Sequence, residues 1–132
     1  MATYPTDYRY TREHEWVSVK DDIATIGITD YAQHELGDVV FVGMPEVGTA
    51  LKAGQTLGSV ESVKTMSDIY APVSGSVVEI NSELANAPEK INQDPHGAAW
   101  LVRMKLTDAT ELSTLLDAAA YQAFVAEKDS SA

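Results

Sequence analysis

The chain contains no cysteine. Disulfides, thiolate metal sites and cysteine nucleophiles are excluded at once. Basic residues are scarce as well: nine Lys and Arg stand against twenty Asp and Glu, for a net charge of −11. A surface of that sign repels nucleic acid and anionic lipid, and no cluster of basic residues offsets it. It favours basic patches on protein partners instead. No apolar run approaches the ~20 residues that cross a bilayer, so no membrane span is expected. The opening Met1-Ala2-Thr3-Tyr4-Pro5 has neither the basic-then-apolar order of a secretory signal nor the arginine-rich pattern of a transit peptide. A cytoplasmic, bacterial-like protein is expected, with a mitochondrial matrix location only if a transit peptide has been removed.

The signatures of catalysis are missing too. His14 and His34 lie far apart, and His96 sits in the turn-like Asp94-Pro95-His96-Gly97. No His-x-x-x-His or Glu-x-x-His pair offers metal-ligand spacing. Ser62 lacks the glycine context of a nucleophile elbow, and no glycine-rich phosphate loop is present. An enzyme with its own pocket is therefore not expected.

What the chain does have is enough apolar material to fold. A hydrophobic fraction of 45% is too high for a disordered chain. One domain over residues 1–132 is expected, with its core about 8–128 and a frayed tail at Asp129-Ser130-Ser131-Ala132. The pattern is mainly β with short helices. Trp16-Val17-Ser18-Val19, the polar turn Lys20-Asp21-Asp22 and Ile23–Ile28 read as a hairpin. Thr29 or Asp30 is placed to cap a short helix over Tyr31–Leu36, which Gly37 ends. Val39-Val40-Phe41-Val42 reads as a strand buried on both faces. In Ser76–Asn81, Val78 and Ile80 share a face, and Ser82 or Asn81 is placed to cap a helical turn at Glu83–Asn86. Trp100, Val102, Met104 and Leu106 line one side of a strand, with Arg103 and Lys105 opposite. Asp108-Ala109-Thr110-Glu111 has the form of a capping box that opens a helix. Leu112, Leu115, Leu116, Ala119 and Ala123 form its core-facing stripe.

Between the runs Gln55–Val60 and Asp68–Ala71 stands one lysine, in Val60-Glu61-Ser62-Val63-Lys64-Thr65-Met66. Most lysines are solvated surface groups, so residue type alone says nothing. Its place between two strand-like arms presents the amine away from the core. Nothing in Glu61-Ser62-Val63-Lys64 activates that amine, so any modifying enzyme must supply the base. The tip has no Asn-Gly or Asp-Gly, and turn chemistry alone does not place a hairpin there.

Val-Glu-Ser-Val-Lys at 60–64, followed by Ala-Pro-Val-Ser-Gly at 71–75, resembles the attachment segment of glycine cleavage system H proteins. His14-Glu15-Trp16, Gly27–Gln33 with Leu36-Gly37-Asp38, Pro45 to Gly48, Val78–Asn81, Ile91-Asn92 and Asp94-Pro95 before Trp100 extend the resemblance over most of the chain. It implies a lipoyl/biotinyl-like barrel-sandwich hybrid (α+β) with a C-terminal helix, and lipoate in an amide bond to Lys64. The function implied is that of a non-catalytic shuttle. It carries an aminomethyl group from glycine decarboxylase (P protein) to the aminomethyltransferase (T protein), and electrons to dihydrolipoamide dehydrogenase (L protein). A lipoyl ligase or octanoyltransferase loads the lysine, and a monomer is expected. The resemblance also makes Glu15 and Asp68 the carboxylates that pair with the loaded amine, with Glu13 where some relatives have serine. The absence of cysteine fits, since a reduced arm finds no protein thiol for exchange. Biotin carriers flank the lysine with methionines, where this chain has Val63 and Thr65. An H-like protein that relays lipoyl groups or serves sulfur metabolism is the alternative.

Overall fold

The computed structural model describes residues 4–130, with side chains through 127. Among the described residues nine strands form two sheets, and every neighbouring pair is antiparallel. The larger sheet contains β1 (Arg9–Tyr10), β2 (Glu15–Lys20), β3 (Ile23–Ile28), β5 (Ala50–Leu51), β8 (Gly75–Ile80) and β9 (Val102–Leu106), in the order β1-β2-β3-β9-β8-β5. The smaller contains β4 (Val39–Gly43), β6 (Thr56–Ser62) and β7 (Met66–Tyr70), in the order β4-β6-β7. Short helices α1 (Asp30–Leu36), α2 (Glu83–Asn86) and α3 (Lys90–Gln93) cross between strands, and α4 (Ala118–Ser130) closes the chain. The architecture is thus mainly β with short helices and a C-terminal helix. No helix among the described residues is long and apolar enough to cross a membrane.

Alternation along the strands builds the core. Ala24, Ile26 and Ile28 of β3, Val77 of β8, and Val102 and Met104 of β9 meet Val39, Val42, Leu57, Val60 and Ile69 of the small sheet. Leu36, Leu84 and Ile91 contribute one buried residue from each short helix. A second, aromatic cluster of Tyr4, Tyr10, Trp16 and Tyr121 holds α4 against the N-terminal strands. Tyr10 and Tyr121 stack at 4.8 Å, and Tyr10 exchanges both backbone hydrogen bonds with Leu116. Trp16 is fully buried, and its indole N–H donates to the Pro95 carbonyl at 2.8 Å. The ring lies flat over β3: a Cβ on Gly27 would come within 2.7 Å of it.

Several elements form as the sequence predicts. The β2–β3 hairpin turns at Asp21, whose φ of 58° is the left-handed conformation that aspartate tolerates better than most residues. Thr29 caps α1 by accepting from the Ala32 N–H, and Gly37 ends it at φ 81°.

Other expectations are corrected. Val39–Val42 is not buried on both faces, because β4 is an edge strand carrying a bulge. Val39 opposes Ser62 and Phe41 opposes Glu61, so Val40 is an extra residue, and both Val40 and Phe41 face solvent. A second bulge between Val77 and Glu79 separates Val78 from Ile80: Val78 is exposed, whereas Ile80 packs on the core. Neither Asn81 nor Ser82 caps α2 through its side chain. The Asn81 amide instead donates to the Ala98 and Trp100 carbonyls. Trp100 lies before β9 and does not join Val102 and Met104 in the main core; the Arg103 guanidinium covers its ring at 4.0 Å.

At the C-terminus, Asp108 caps a 3-10 helix over Ala109–Thr114. Glu111 does not complete the box; both of its oxygens accept from Ser74. Leu115 is extended, so the helix stops, and a new one starts after Asp117, whose carboxylate accepts from the Ala120 N–H. The buried face of α4 is Ala118, Tyr121 and Val125, while Ala119 and Ala123 face solvent. The α4 backbone runs through Asp129 and Ser130, and Ser131 and Ala132 of the expected tail lie outside the described residues.

The two tryptophans are predicted to differ sharply in urea unfolding. Trp16→Ala costs about 3–5 kcal/mol, as expected for a large buried ring, and Trp100→Ala costs at least ~2 kcal/mol less. Equal losses would contradict the placement of Trp100 outside the main core.

Candidate functional site

Lys64 is exposed in the hairpin between β6 and β7, which the Glu61–Met66 pair closes. Local polar groups shape its tip. The Ser62 N–H donates to the Thr65 carbonyl at 2.7 Å. The buried Ser62 hydroxyl donates to the same carbonyl and accepts from the N–H groups of Lys64 and Thr65 at 3.2 and 3.1 Å. A serine hydroxyl therefore does here what Asn-Gly does in shorter hairpins.

The hairpin is also tied to the rest of the fold. The Val63 N–H donates to the Asp38 carbonyl at 3.0 Å. Asn92 of α3 pins the segment that carries Asp38. Its side-chain oxygen accepts from the Val39 N–H, and its amide donates to the Gly37 carbonyl and to Gln33 Oε1. The Lys64 stem folds over Gly37, its carbons 3.7–4.0 Å from where a Cβ would stand. The positive φ of 81° is what favours glycine there; a Cβ would meet the lysine stem only at ordinary contact distance.

A cleft of about 390 Å³ opens beside the hairpin. Thr65, Met66 and Ser67 form the hairpin side; Tyr31, Ala32, Glu35 and Leu36 of α1 form the opposite wall; Glu13 and His14 close one end over Ile28 and Ile69. His14 holds a left-handed backbone at φ 71°. Its Nδ1 is 2.8 Å from the Tyr121 hydroxyl, which is 2.7 Å from Thr29 Oγ1. Tyr121 of α4 thus braces both the cleft and the cap of α1. Burial raises its phenol well above the ordinary range. His96 is used structurally, with Nε2 accepting from the Asp30 N–H at 3.0 Å.

The acids singled out in the sequence are placed differently from one another. Glu15 is buried and does not line the cleft, although its strand partner Ile28 does. One carboxylate oxygen accepts from Thr11 Oγ1 at 2.6 Å and the other from the Tyr70 N–H at 3.1 Å, which joins β2 to the free edge of β7. Burial pushes this carboxyl up to about 7; the two hydrogen bonds pull it down, and Glu13 pushes it up slightly. Asp68 is exposed on β7, paired with Ser59 across the sheet, and likewise does not line the cleft. The acids on the cleft wall are Glu13 and Glu35. Glu35, Ser62 and Asn92 are site residues that the sequence reading did not single out by role. Ser62 had a local signal, a hydroxyl two residues before the tip.

Glu15 makes stability fall as pH rises. The folded carboxyl retains its proton where the unfolded one has lost it, so its contribution is full below about pH 4.5 and is lost as pH climbs through 7. Relative to wild type, Glu15→Gln is predicted to gain up to about 3 kcal/mol on moving from pH 4.5 to pH 8. Urea unfolding of both proteins at the two pH values checks this, and a pH-independent difference would contradict it.

Comparison with known proteins agrees over most of the chain. Residues 8–128 match the family described as glycine cleavage H-protein. The glycine cleavage system H protein of Acidobacterium capsulatum is 59% identical over 125 residues, covering 95% of this chain and 96% of the relative. That of Thermotoga maritima is 52% identical over 120 residues, covering 91% and 97%. The crystal structure of a glycine cleavage system H protein from Mycobacterium marinum superposes with a TM-score of 0.83 at 42% identity, covering 89% of this chain and 95% of that one. With family match, identity and superposition in agreement, the chain belongs to the glycine cleavage H-protein family, and its role is that of a carrier in glycine cleavage rather than an enzyme.

Proposed function

We propose that Lys64 bears a lipoyl group in amide linkage. The protein then shuttles an aminomethyl group from glycine decarboxylase to the aminomethyltransferase, and electrons to dihydrolipoamide dehydrogenase. The observation that carries this reading is an exposed lysine on a braced hairpin tip directly beside a cleft. The residues present fit such a group. Ile28, Leu36 and Ile69 offer an apolar surface to a hydrocarbon chain, and Glu13 and Glu35 put negative charge on the rim. When bound, the group supplies a disulfide that is reduced as it takes up the one-carbon unit and reoxidised later.

Everything else falls to the chain. The hairpin presents Lys64 to a ligase or octanoyltransferase and then to each enzyme in turn. Tethering raises effective concentration, so cargo need not cross bulk solvent between enzymes. Glu15 and Asp68 are the proposed partners of the cargo's amine. Asp68 offers an exposed carboxylate on the hairpin's own strand. Glu15 acts from behind the cleft, where an entering cation would lower its raised pKa and favour the charged form. One carrier domain acting in the cytoplasm completes the proposal.

Lys64→Arg keeps the charge and the fold but removes the acylated amine. It is expected to unfold with the wild-type midpoint and to lose all glycine-dependent carbon dioxide exchange with the decarboxylase; any retained exchange would sink the assignment. Asp68→Asn is expected to shorten the lifetime of the aminomethyl-loaded carrier, as followed by ammonia release. An unchanged lifetime would remove Asp68 from the pairing role.

A further inference from the structure

Six large hydrophobic side chains are strongly exposed among the described residues, and they are not scattered evenly. Val47 and Val78 belong to two segments joined by the bond from the Gly48 N–H to the Val77 carbonyl, whereas Val40, Phe41, Val63 and Met66, at 50%, 57%, 69% and 60% exposure, lie on the strands and tip that carry Lys64. Strand register gives the patch an order. Phe41 opposes Glu61, and Glu61 opposes Met66, so the three side chains form a row across one face of the small sheet. The next such row along is Gly43, Ser59 and Asp68. The Phe41 ring leans over Gly43, 3.6 Å from where a Cβ would stand. The bulge at Val40 keeps this edge apolar and out of the core.

An apolar patch on an edge strand invites unwanted pairing, so its presence needs a use. Its charge narrows the choice of occupant. Glu61 and Asp68 lie within the two rows, and Asp38 adjoins Val63 through a backbone hydrogen bond. A second copy of this chain would bring those acids against themselves on molecules of net charge −11. Lys64 is the cation at the tip among the described residues, and forming an amide on its nitrogen removes that charge. Loading therefore makes the patch more negative at its centre.

We propose that the Phe41–Glu61–Met66 face is the docking surface through which the carrier engages the enzymes that take its arm, and that those enzymes answer it with an apolar seat rimmed by lysine and arginine. The proposal rests on the carrier reading above. Phe41 and Met66 supply the buried contact, and the acids set orientation and on-rate. The rim attracts the loaded carrier more than the unloaded one, because only the unloaded form keeps the lysine charge.

The test uses wild-type protein loaded with a lipoylating enzyme, verified by mass, alongside equally loaded Phe41→Ser, Met66→Ser and double variants. Val47→Ser and Val78→Ser serve as exposed apolar controls. Each is titrated against glycine decarboxylase, aminomethyltransferase and dihydrolipoamide dehydrogenase. Phe41→Ser, which lies outside the cleft, is expected to raise KM for the carrier about tenfold with at least one enzyme at unchanged kcat, a loss of the size of one interface anchor, and the double variant to raise KM further. The controls stay at the wild-type value, and added salt raises the wild-type KM. Unloaded wild type is expected to compete with loaded carrier, and the unloaded double variant to compete at least fivefold less well. Unchanged KM with all three enzymes would overturn the proposal while leaving the carrier reading intact. A wild-type dimer in size-exclusion chromatography that Phe41→Ser abolishes would overturn it in favour of self-association. Failure of wild type to load at Lys64 would sink the carrier reading and this proposal with it.

Discussion

The buried Ser62 hydroxyl sets the geometry on which the carrier site depends. Within one turn it donates to one backbone carbonyl and accepts from two N–H groups. A four-residue tip with bulky Val63 and Lys64 thereby holds its shape without the glycine that tight hairpins use. Removing the hydroxyl would leave backbone groups of the tip to find water, and the direction of Lys64 would no longer be fixed. The bond from Val63 to Asp38 and the three bonds of Asn92 carry the same constraint back to α1 and α3. The lysine is flexible along its own stem but rooted on a rigid base, which is what a swinging arm needs.

Polar burial serves the site elsewhere as well. Glu15 is an unusual residue to bury, since a carboxylate taken out of water costs several kcal/mol unless it is paired or protonated. Its two hydrogen bonds reach Thr11 on one side and the edge of β7 on the other, so the penalty is accepted at the seam between the two sheets. The cost also leaves the carboxyl raised to about 7, because burial outweighs its two hydrogen bonds. At the other end of the cleft, Tyr121 links α4 to His14 and Thr29. The C-terminal helix is thus part of the site's support.

What could be read along the chain and what could not divides by range. The β2–β3 hairpin and α1 with its Thr29 and Gly37 ends were legible because their signals are local. Lys64 stood out through the motif around it. The two bulges were not legible: one extra residue at Val40 or Val78 reverses which side chain faces the core, and counting by twos cannot see it. The leucine spacing after Asp108 read as one helix because the break at Leu115 serves a distant partner, Tyr10. The cleft brings Glu13 and Glu35 together from separate elements, and Asn92 acts across 53 to 59 residues of sequence. The burial of Glu15 follows from strand partners that its own neighbours do not reveal.

The central claim is that Lys64 is the attachment point of a dithiol arm. Its most direct measurement is a peptide-level mass spectrum of protein incubated with a lipoylating enzyme, reduced, and treated with a thiol label. The chain has no cysteine, so every label reports the arm. Two labels on the peptide containing Lys64, and none elsewhere, are the predicted result. An unlabelled Lys64 peptide, with the enzyme active on a control carrier, would contradict the account.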